Sequence, residues 1–365
     1  VTGTLIYDKA CGGGVITINS IGVAAMRPGP GALWRAQMRI IVALGGTALA
    51  RRGEALDAEV QRRNIAHAIG AVAGIARTHN VIITHGNSPQ VGLLAMQSAS
   101  YSSLKPYPLD MLGAETEGMI GYLVEQELRN LLPGKHVVTV LTQVEVNRND
   151  AAFRHPSKAF GPALDQLEAE RLAHEHGWTV AQDGTKWRRT VPSPEPLRIL
   201  ELPAIKLLSD AGVIVVCAGV GGIPVATSPK GGMRGVEALI DKDLSASLLA
   251  HQLKADALLF LTDVEAVYEN WGMKGAMPVG ETTAAELRKI SFAAGSMRPK
   301  VEAACRFVES GGNFSAIGML EDAGQILLGQ RGTIVRRGES GLDFTNKISA
   351  SGDIEFVPAS DPPKK

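Results

Sequence analysis

Two textures alternate along residues 38–335. Short, continuous apolar runs rich in β-branched residues recur at 40–44, 81–84, 137–141, 213–217 and 257–261. Between them lie stretches in which apolar residues repeat with helical spacing. A strand that is apolar at every position is covered on both faces, and strands separated by helices run parallel. The pattern therefore predicts a parallel sheet with helices on both sides.

The rhythm breaks over residues 145–200, which hold Asn147-Arg-Asn-Asp150, Arg154-His-Pro156, Lys186-Trp-Arg-Arg189 and Pro192-Ser-Pro-Glu-Pro196. A polar, proline-punctuated insertion of this length is expected to form a lid or protruding subdomain. Residues 1–37 also depart from the pattern, because Cys11-Gly-Gly-Gly14 and Pro28-Gly-Pro-Gly31 interrupt any regular element. The folded domain is expected to begin at Met38, behind a flexible and dispensable leader. A secretory signal is the rival reading, but residues 12–26 are too rich in glycine and polar types for one. Beyond Val335 the composition turns polar, and residues 336–365 read as a flexible tail.

Composition narrows the function. A chain of 365 residues suggests two domains or one large α/β unit. Lys+Arg and Asp+Glu number 37 each, and basic clusters do not exceed the pairs Arg188-Arg189 and Arg336-Arg337. Without a basic excess or stripe, a nucleic-acid partner is disfavoured. Cys11, Cys217 and Cys305 are scattered and form no C-x-x-C, which argues against a disulfide scaffold or structural zinc and for a reducing, cytoplasmic setting. The uncharged run 211–229 is broken by Gly212, Gly219, Gly221, Gly222 and Pro224, so it reads as a buried strand entering a glycine loop rather than as a membrane span.

Three of the apolar runs pass straight into glycine turns: Leu44-Gly45-Gly46-Thr47, Thr84-His85-Gly86-Asn87-Ser88-Pro89-Gln90-Val91-Gly92, and Ala218-Gly219-Val220-Gly221-Gly222. Ligands of open α/β sheets collect outside the carboxyl ends of strands, where glycine lets backbone N–H groups surround an anion. The turns predict a polyphosphate or small-anion site; tight packing of strand–helix corners would use the same glycines. Ser88 fits an N-cap, with Pro89 in the first turn of a helix over about 90–98. No P-loop is present, and Pro224 stands where a dinucleotide fingerprint needs its third glycine.

Two lysines stand out. Asp243 is expected to cap a helix bearing Leu244, Leu248, Leu249 and Leu253, which leaves Lys242 just outside its positive end. Pro299 suits the first turn of a helix over 299–309, so Lys300 also sits at a helix start. The macrodipole opposes a cation there, and a bound anion would reverse that preference; the plain alternative is solvated surface lysine. Thr262 and Asp263 follow a strand and either bind ribose or phosphate or make an Asx turn. His85, at a strand end, reads as structural, and no histidine pair has metal-ligand spacing.

Together these segments resemble the carbamate kinases of the amino-acid kinase superfamily. The resemblance spans residues 38–335 and rests on Gly45-Gly46, the run Thr84 to Gly92, Thr142-Gln-Val144, Trp187-Arg-Arg-x-Val191-Pro-Ser-Pro194, Gly235-Val-Glu-Ala238, Asp241-Lys-Asp243, Leu261-Thr-Asp-Val264, and Gly295-Ser-Met-x-Pro-Lys-Val-Glu-Ala303. It implies a three-layer αβα sandwich around an open, mainly parallel sheet, with a small protruding lid. It implies a homodimer that interconverts ATP plus carbamate with ADP plus carbamoyl phosphate, with Mg²⁺ carried by the nucleotide, for ATP synthesis in arginine or purine-ureide breakdown. Lys242, Lys300 and a lid lysine, Lys158 rather than Lys186, would offset charge, and Asp243 would orient them. Gly45, Gly46, Thr47, Gly86, Asn87, Ser88, Gly221, Gly222 and Arg298 would hold phosphate and carbamate. Thr262, Asp263, Val264, Tyr268 and Met297 would line the nucleotide, with no resident metal.

Three positions depart from the family pattern. Thr47 stands where Asn is usual and keeps a donor but loses reach. Ser88 replaces Gly; it would be strained at positive φ and well suited at an N-cap. Arg298 replaces a small residue and either adds a phosphate contact or fills the pocket. These changes leave open an impaired paralogue that binds nucleotide or carbamoyl phosphate with a regulatory role, or a kinase for another small acid.

Overall fold

The computed structural model describes residues 37–49, 54–101, 105–292 and 297–338; the leader, most of the tail, and Gly295-Ser296 lie outside it. The first half holds β1 (Arg39–Leu44), α1 (Gly46–Leu49), α2 (Ala58–Ala76), β2 (Asn80–His85), α3 (Ser88–Ser100), α4 (Leu109–Leu131), β3 (Val137–Val140) and β4 (Gln143–Val146). Then follow β5 (Lys158–Leu164), α5 (Gln166–His176), β6 (Thr179–Asp183), β7 (Lys186–Val191), β8 (Pro196–Ile199), α6 (Leu202–Asp210) and β9 (Ile214–Cys217). The remainder comprises β10 (Ile223–Thr227), β11 (Met233–Gly235), α7 (Lys242–Gln252), β12 (Ala257–Thr262), β13 (Val267–Glu269), β14 (Met277–Val279), β15 (Glu281–Thr283), α8 (Ala284–Leu287), α9 (Met297–Glu309), β16 (Phe314–Met319), α10 (Ala323–Leu327) and β17 (Thr333–Arg336).

The apolar runs become one eight-stranded sheet of order β15-β17-β16-β12-β1-β2-β9-β3. Its six strands from β16 to β3 are mutually parallel, and β17 runs antiparallel to β16. Alternation along each strand sends side chains to opposite faces. Ile40, Val42 and Leu44 join one core with α2, α4 and α10, while Ile41 and Ala43 join another with α6, α7, α8 and α9. Both faces are apolar because both are covered, which is why the strands read as continuous hydrophobic runs. The result is the expected three-layer αβα sandwich. Truncating a side chain such as Ile41, fully buried at the sheet centre, would cost about 2–5 kcal/mol.

The insertion resolves into two parts. β5, β6 and β7 form a separate three-stranded sheet of order β5-β7-β6, accompanied by α5, within the stretch expected to form the lid. It is narrower than the 145–200 stretch suggests. At the two ends of that stretch β4 and β8 pair with each other, and β4 pairs with β10, in a four-stranded sheet of the body. The uncharged run 211–229 is strand β9, a tight turn, and strand β10. Among the described residues no helix is long and apolar enough to cross a membrane.

Candidate active site

Because β1, β2, β9 and β12 are parallel neighbours, their carboxyl ends share one sheet edge. Backbone hydrogen bonds join the first turns: Gly45 N–H donates to Leu261 O at 2.8 Å, and Gly86 N–H to Leu44 O at 3.1 Å. The short helix α1 starts at Gly46. Thr47 lies within it, and its side chain falls outside the description.

Lys242 reaches into this edge. A methyl placed on Gly86 would lie 2.8 Å from Lys242 Cδ and 3.0 Å from the Gly46 nitrogen, so the two glycine turns and the lysine stem are in contact. The Lys242 ammonium meets Asp243 Oδ1 at 2.5 Å, and Lys300 from α9 donates to Asp243 Oδ2 at 3.1 Å. Lys300 and Asp243 are both buried. Burial lowers the Lys300 pKa, and repulsion from Lys242 adds to this. Burial also works against charge on Lys242, but the adjoining Asp243 carboxylate outweighs it and holds that pKa above its ordinary value.

The cap of α7 differs from expectation. Asp241, with extended φ/ψ, is the N-cap, and its carboxylate accepts from the N–H groups of Asp243 and Leu244 at 2.9 and 3.2 Å. Asp243 therefore sits inside the first turn with its carboxylate free to bridge the lysines, and Lys242 is the first helical residue. Lys158 in the lid strand β5 donates to Ile240 O at 3.1 Å and pairs with Asp241 Oδ2 at 3.2 Å. Burial would raise the Asp241 pKa, but Lys158 and Lys242 bring it down to about 2. The other lid candidate, Lys186, is exposed at the β6–β7 hairpin and pairs in register with Asp183. Three ammonium groups thus meet two carboxylates beside the glycine turns.

On the Gly86 loop, Asn87 is fully buried and its side-chain amide has no hydrogen-bond partner among the described residues. Such a group carries a desolvation cost of about 1–3 kcal/mol unless something binds it. Asn87 occupies the N-cap position of α3 without a side-chain cap. Ser88 is the first helical residue rather than the expected N-cap, and it is absent from the residues with positive φ, so it is unstrained.

The third loop closes on itself and packs against the body. The Gly221 and Gly222 amides are already bonded, to Ala218 O and Gly219 O. A side chain on Gly221 would lie 2.8 Å from Ile240 O, and Ser245 Oγ donates to Gly221 O at 2.6 Å. These contacts pack the glycine turn under the start of α7.

Helix α9 starts at Met297, two residues earlier than its proline suggested, and Met297 packs on the core shared by α7 and α9. Arg298 is exposed, whereas Lys300 is buried. Two positions on a helix differ by about 200°, so the guanidinium and the ammonium leave opposite sides. Thr262 is buried and donates to Asp263 Oδ1 at 3.0 Å. Val264 and Tyr268 are half-buried next to it in sequence, and the Tyr268 ring meets Trp271 edge-on at 4.9 Å. Burial, together with Glu265, raises the Tyr268 pKa.

Sequence reasoning missed Glu117. It lies on the buried face of α4 and accepts from Gly219 N–H at 2.9 Å and Thr142 N–H at 3.2 Å. Burial pushes its pKa up to about 8. His85 adjoins the same corner, since a methyl on Gly219 would lie 2.4 Å from His85 Cε1 and 3.1 Å from Glu117 Cγ. Burial lowers the His85 pKa to about 4, so it is a neutral, structural histidine. The available signal for Glu117 was a carboxylate in register with Leu112, Thr116, Ile120 and Val124 on the apolar face of a helix.

The model of the amino acid kinase family matches residues 38–317. A carbamate kinase of Rhizobium meliloti is 49% identical over 329 residues, covering 89% of this chain and all of that protein. One from Haemophilus influenzae is 47% identical, covering 84% and 99%. The solved structure of carbamate kinase from Giardia lamblia bound to AMP-PNP is 36% identical and superposes with a TM-score of 0.76, covering 83% of this chain and 99% of that one.

Proposed function

The chain belongs to the amino acid kinase family, among its carbamate kinases, and from that premise we propose that it transfers a phosphoryl group between ATP and carbamate, forming ADP and carbamoyl phosphate, and runs the reverse. The observation that carries this reading is the meeting of Lys242 and Lys300, from two helices, on the one carboxylate of Asp243 beside the Gly46–Gly86 contact.

Phosphoryl transfer passes through a loose transition state with charge on the equatorial oxygens, so the protein's task is positioning and charge compensation. Lys242 and Lys300 meet that charge as it develops, and Asp243 holds both in place. Lys158 closes the site from the lid. The Gly46 and Gly86 backbone turns bound the phosphoryl group, and the unpartnered Asn87 amide binds the carbamate. Thr262, Asp263, Val264 and Tyr268 line the nucleotide side. Mg²⁺ enters with ATP or ADP as part of the substrate and screens the phosphate oxygens. The unstrained Ser88 and the outward Arg298 support an active enzyme rather than an impaired paralogue.

The enzyme acts as a homodimer through the outer face of α4. Support comes from Met111 and Tyr122, which are exposed and lie on one helical stripe, and from exposed Leu141 packed at 3.9 Å from a methyl built on Gly118 of that stripe. The neighbouring edge strand β3 is already bonded by α4, through Glu125 to Thr139 N–H and Arg129 to Val137 O, so strand addition is disfavoured. A cytoplasmic location suits the buried thiols Cys217 and Cys305.

The test is a coupled assay of ATP formation from ADP and carbamoyl phosphate. Turnover is expected; retained ADP binding without turnover would overturn the reading. Faster phosphorylation of acetylglutamate or aspartate would reassign the acceptor.

A further inference from the structure

Among the described residues, the polar bonds between the lid strands and the approach to α7 fall on one segment of the body, residues 237–241. Arg189 in β7 pairs with Glu237 Oε1 at 2.9 Å. Leu239 N–H donates to Pro192 O, just past the end of β7, at 3.0 Å. Lys158 in β5 meets Ile240 O and Asp241. The contacts run in order along the segment, which then enters the helix that begins with Lys242.

Arg189 is set apart within this series. Its guanidinium lies 4.4 Å from the Trp178 ring centroid and 5.2 Å from that of Phe160, so it stacks inside the lid while its charge points to the body. Phe160 faces Arg189 in the β5–β7 register, and Lys158 faces Val191, two residues along the same strands. Glu237 is anchored in turn, because its other oxygen accepts from Leu109 N–H at 2.9 Å. That N–H opens α4, whose N-cap is Pro108 with no side-chain cap, so the carboxylate also meets the positive end of a long helix. Planar stacking between two aromatic rings suits a guanidinium and not an ammonium.

We propose that Arg189 and Glu237 are a positioning pair that registers the lid on the 237–241 segment and so holds Lys158 at the phosphoryl site. The proposal rests on the reading that Lys158 serves phosphoryl transfer. Neither residue touches substrate; both act through Lys158.

The test is a double-mutant cycle joined to hydrogen exchange on the full chain. Arg189→Ala is expected to lower kcat about tenfold while KM for ADP stays within about twofold, and Arg189→Lys to recover only part of the loss. In a Lys158→Ala background, Arg189→Ala is expected to cost less than about twofold further. Glu237→Gln, which keeps an acceptor for Leu109, serves if Arg189→Ala fails to fold. Amide exchange over β5 should rise in either variant, with β1 and β2 unchanged. A full tenfold loss in the Lys158→Ala background, or unaltered exchange over β5, would overturn the proposal. If the wild-type chain makes no ATP from ADP and carbamoyl phosphate, the functional reading fails, and the exchange arm still decides whether the pair registers the lid.

Discussion

The stem of Lys242 crosses the α-carbon of Gly86 so closely that a methyl there would stand 2.9 Å from Lys242 Cε. The absence of a side chain at residue 86 is therefore a condition for where the lysine ends. Gly86→Ala should cost moderate stability, because the methyl also meets the Gly46 backbone nitrogen at 3.0 Å, but should lower kcat by at least about tenfold by moving the ammonium. Thermal melting beside steady-state kinetics checks the split; equal loss of both would contradict it.

Lys300→Ala should lower kcat by at least 100-fold, about 2.7 kcal/mol, if the ammonium meets charge chiefly in the transition state. KM for ADP should move by less than about threefold. A change confined to KM would place Lys300 in ground-state binding instead.

Glu117 makes stability depend on pH in a defined window. Its native pKa of about 8 lies above the ordinary 4.5, so the folded state holds a proton that the unfolded state has lost. Stability therefore falls as pH rises from about 4.5 to about 8, and levels off above. His85, lowered from 6.5 to about 4, acts oppositely, with stability rising up to pH 6.5. Between pH 6.5 and 8 the carboxyl acts without that opposition, and a loss of about 2 kcal/mol is expected. Urea midpoints across that window should fall for the wild type and stay flat for Glu117→Gln.

Following the proposed α4 interface, Tyr122→Glu should leave a monomer, because a carboxylate on that stripe would be desolvated without a partner. Sedimentation velocity reads this directly. A dimer that persists would place the interface elsewhere.

The linear chain was enough for the five core strands, since residues buried on both faces must be apolar at every position, and that pattern survives without coordinates. It was also enough for the glycine turns and for Lys242 and Lys300, because glycine after a strand and a cation at a helix start are local oddities. Other features depended on tertiary contacts. Asp241 and Asp243 compete for the same cap within three residues, and only the backbone angles at Asp241 and the position of Lys300, 57 residues beyond Asp243, decide which carboxylate faces the lysines. The Gly221 turn looks like the Gly45 and Gly86 turns in one dimension; only the fold shows it packed against Ile240. Glu117 and the Arg189–Glu237 pair were hidden for the same reason. Each joins segments far apart in the chain, and the energy of a charge or a buried carboxyl is set by neighbours that folding supplies.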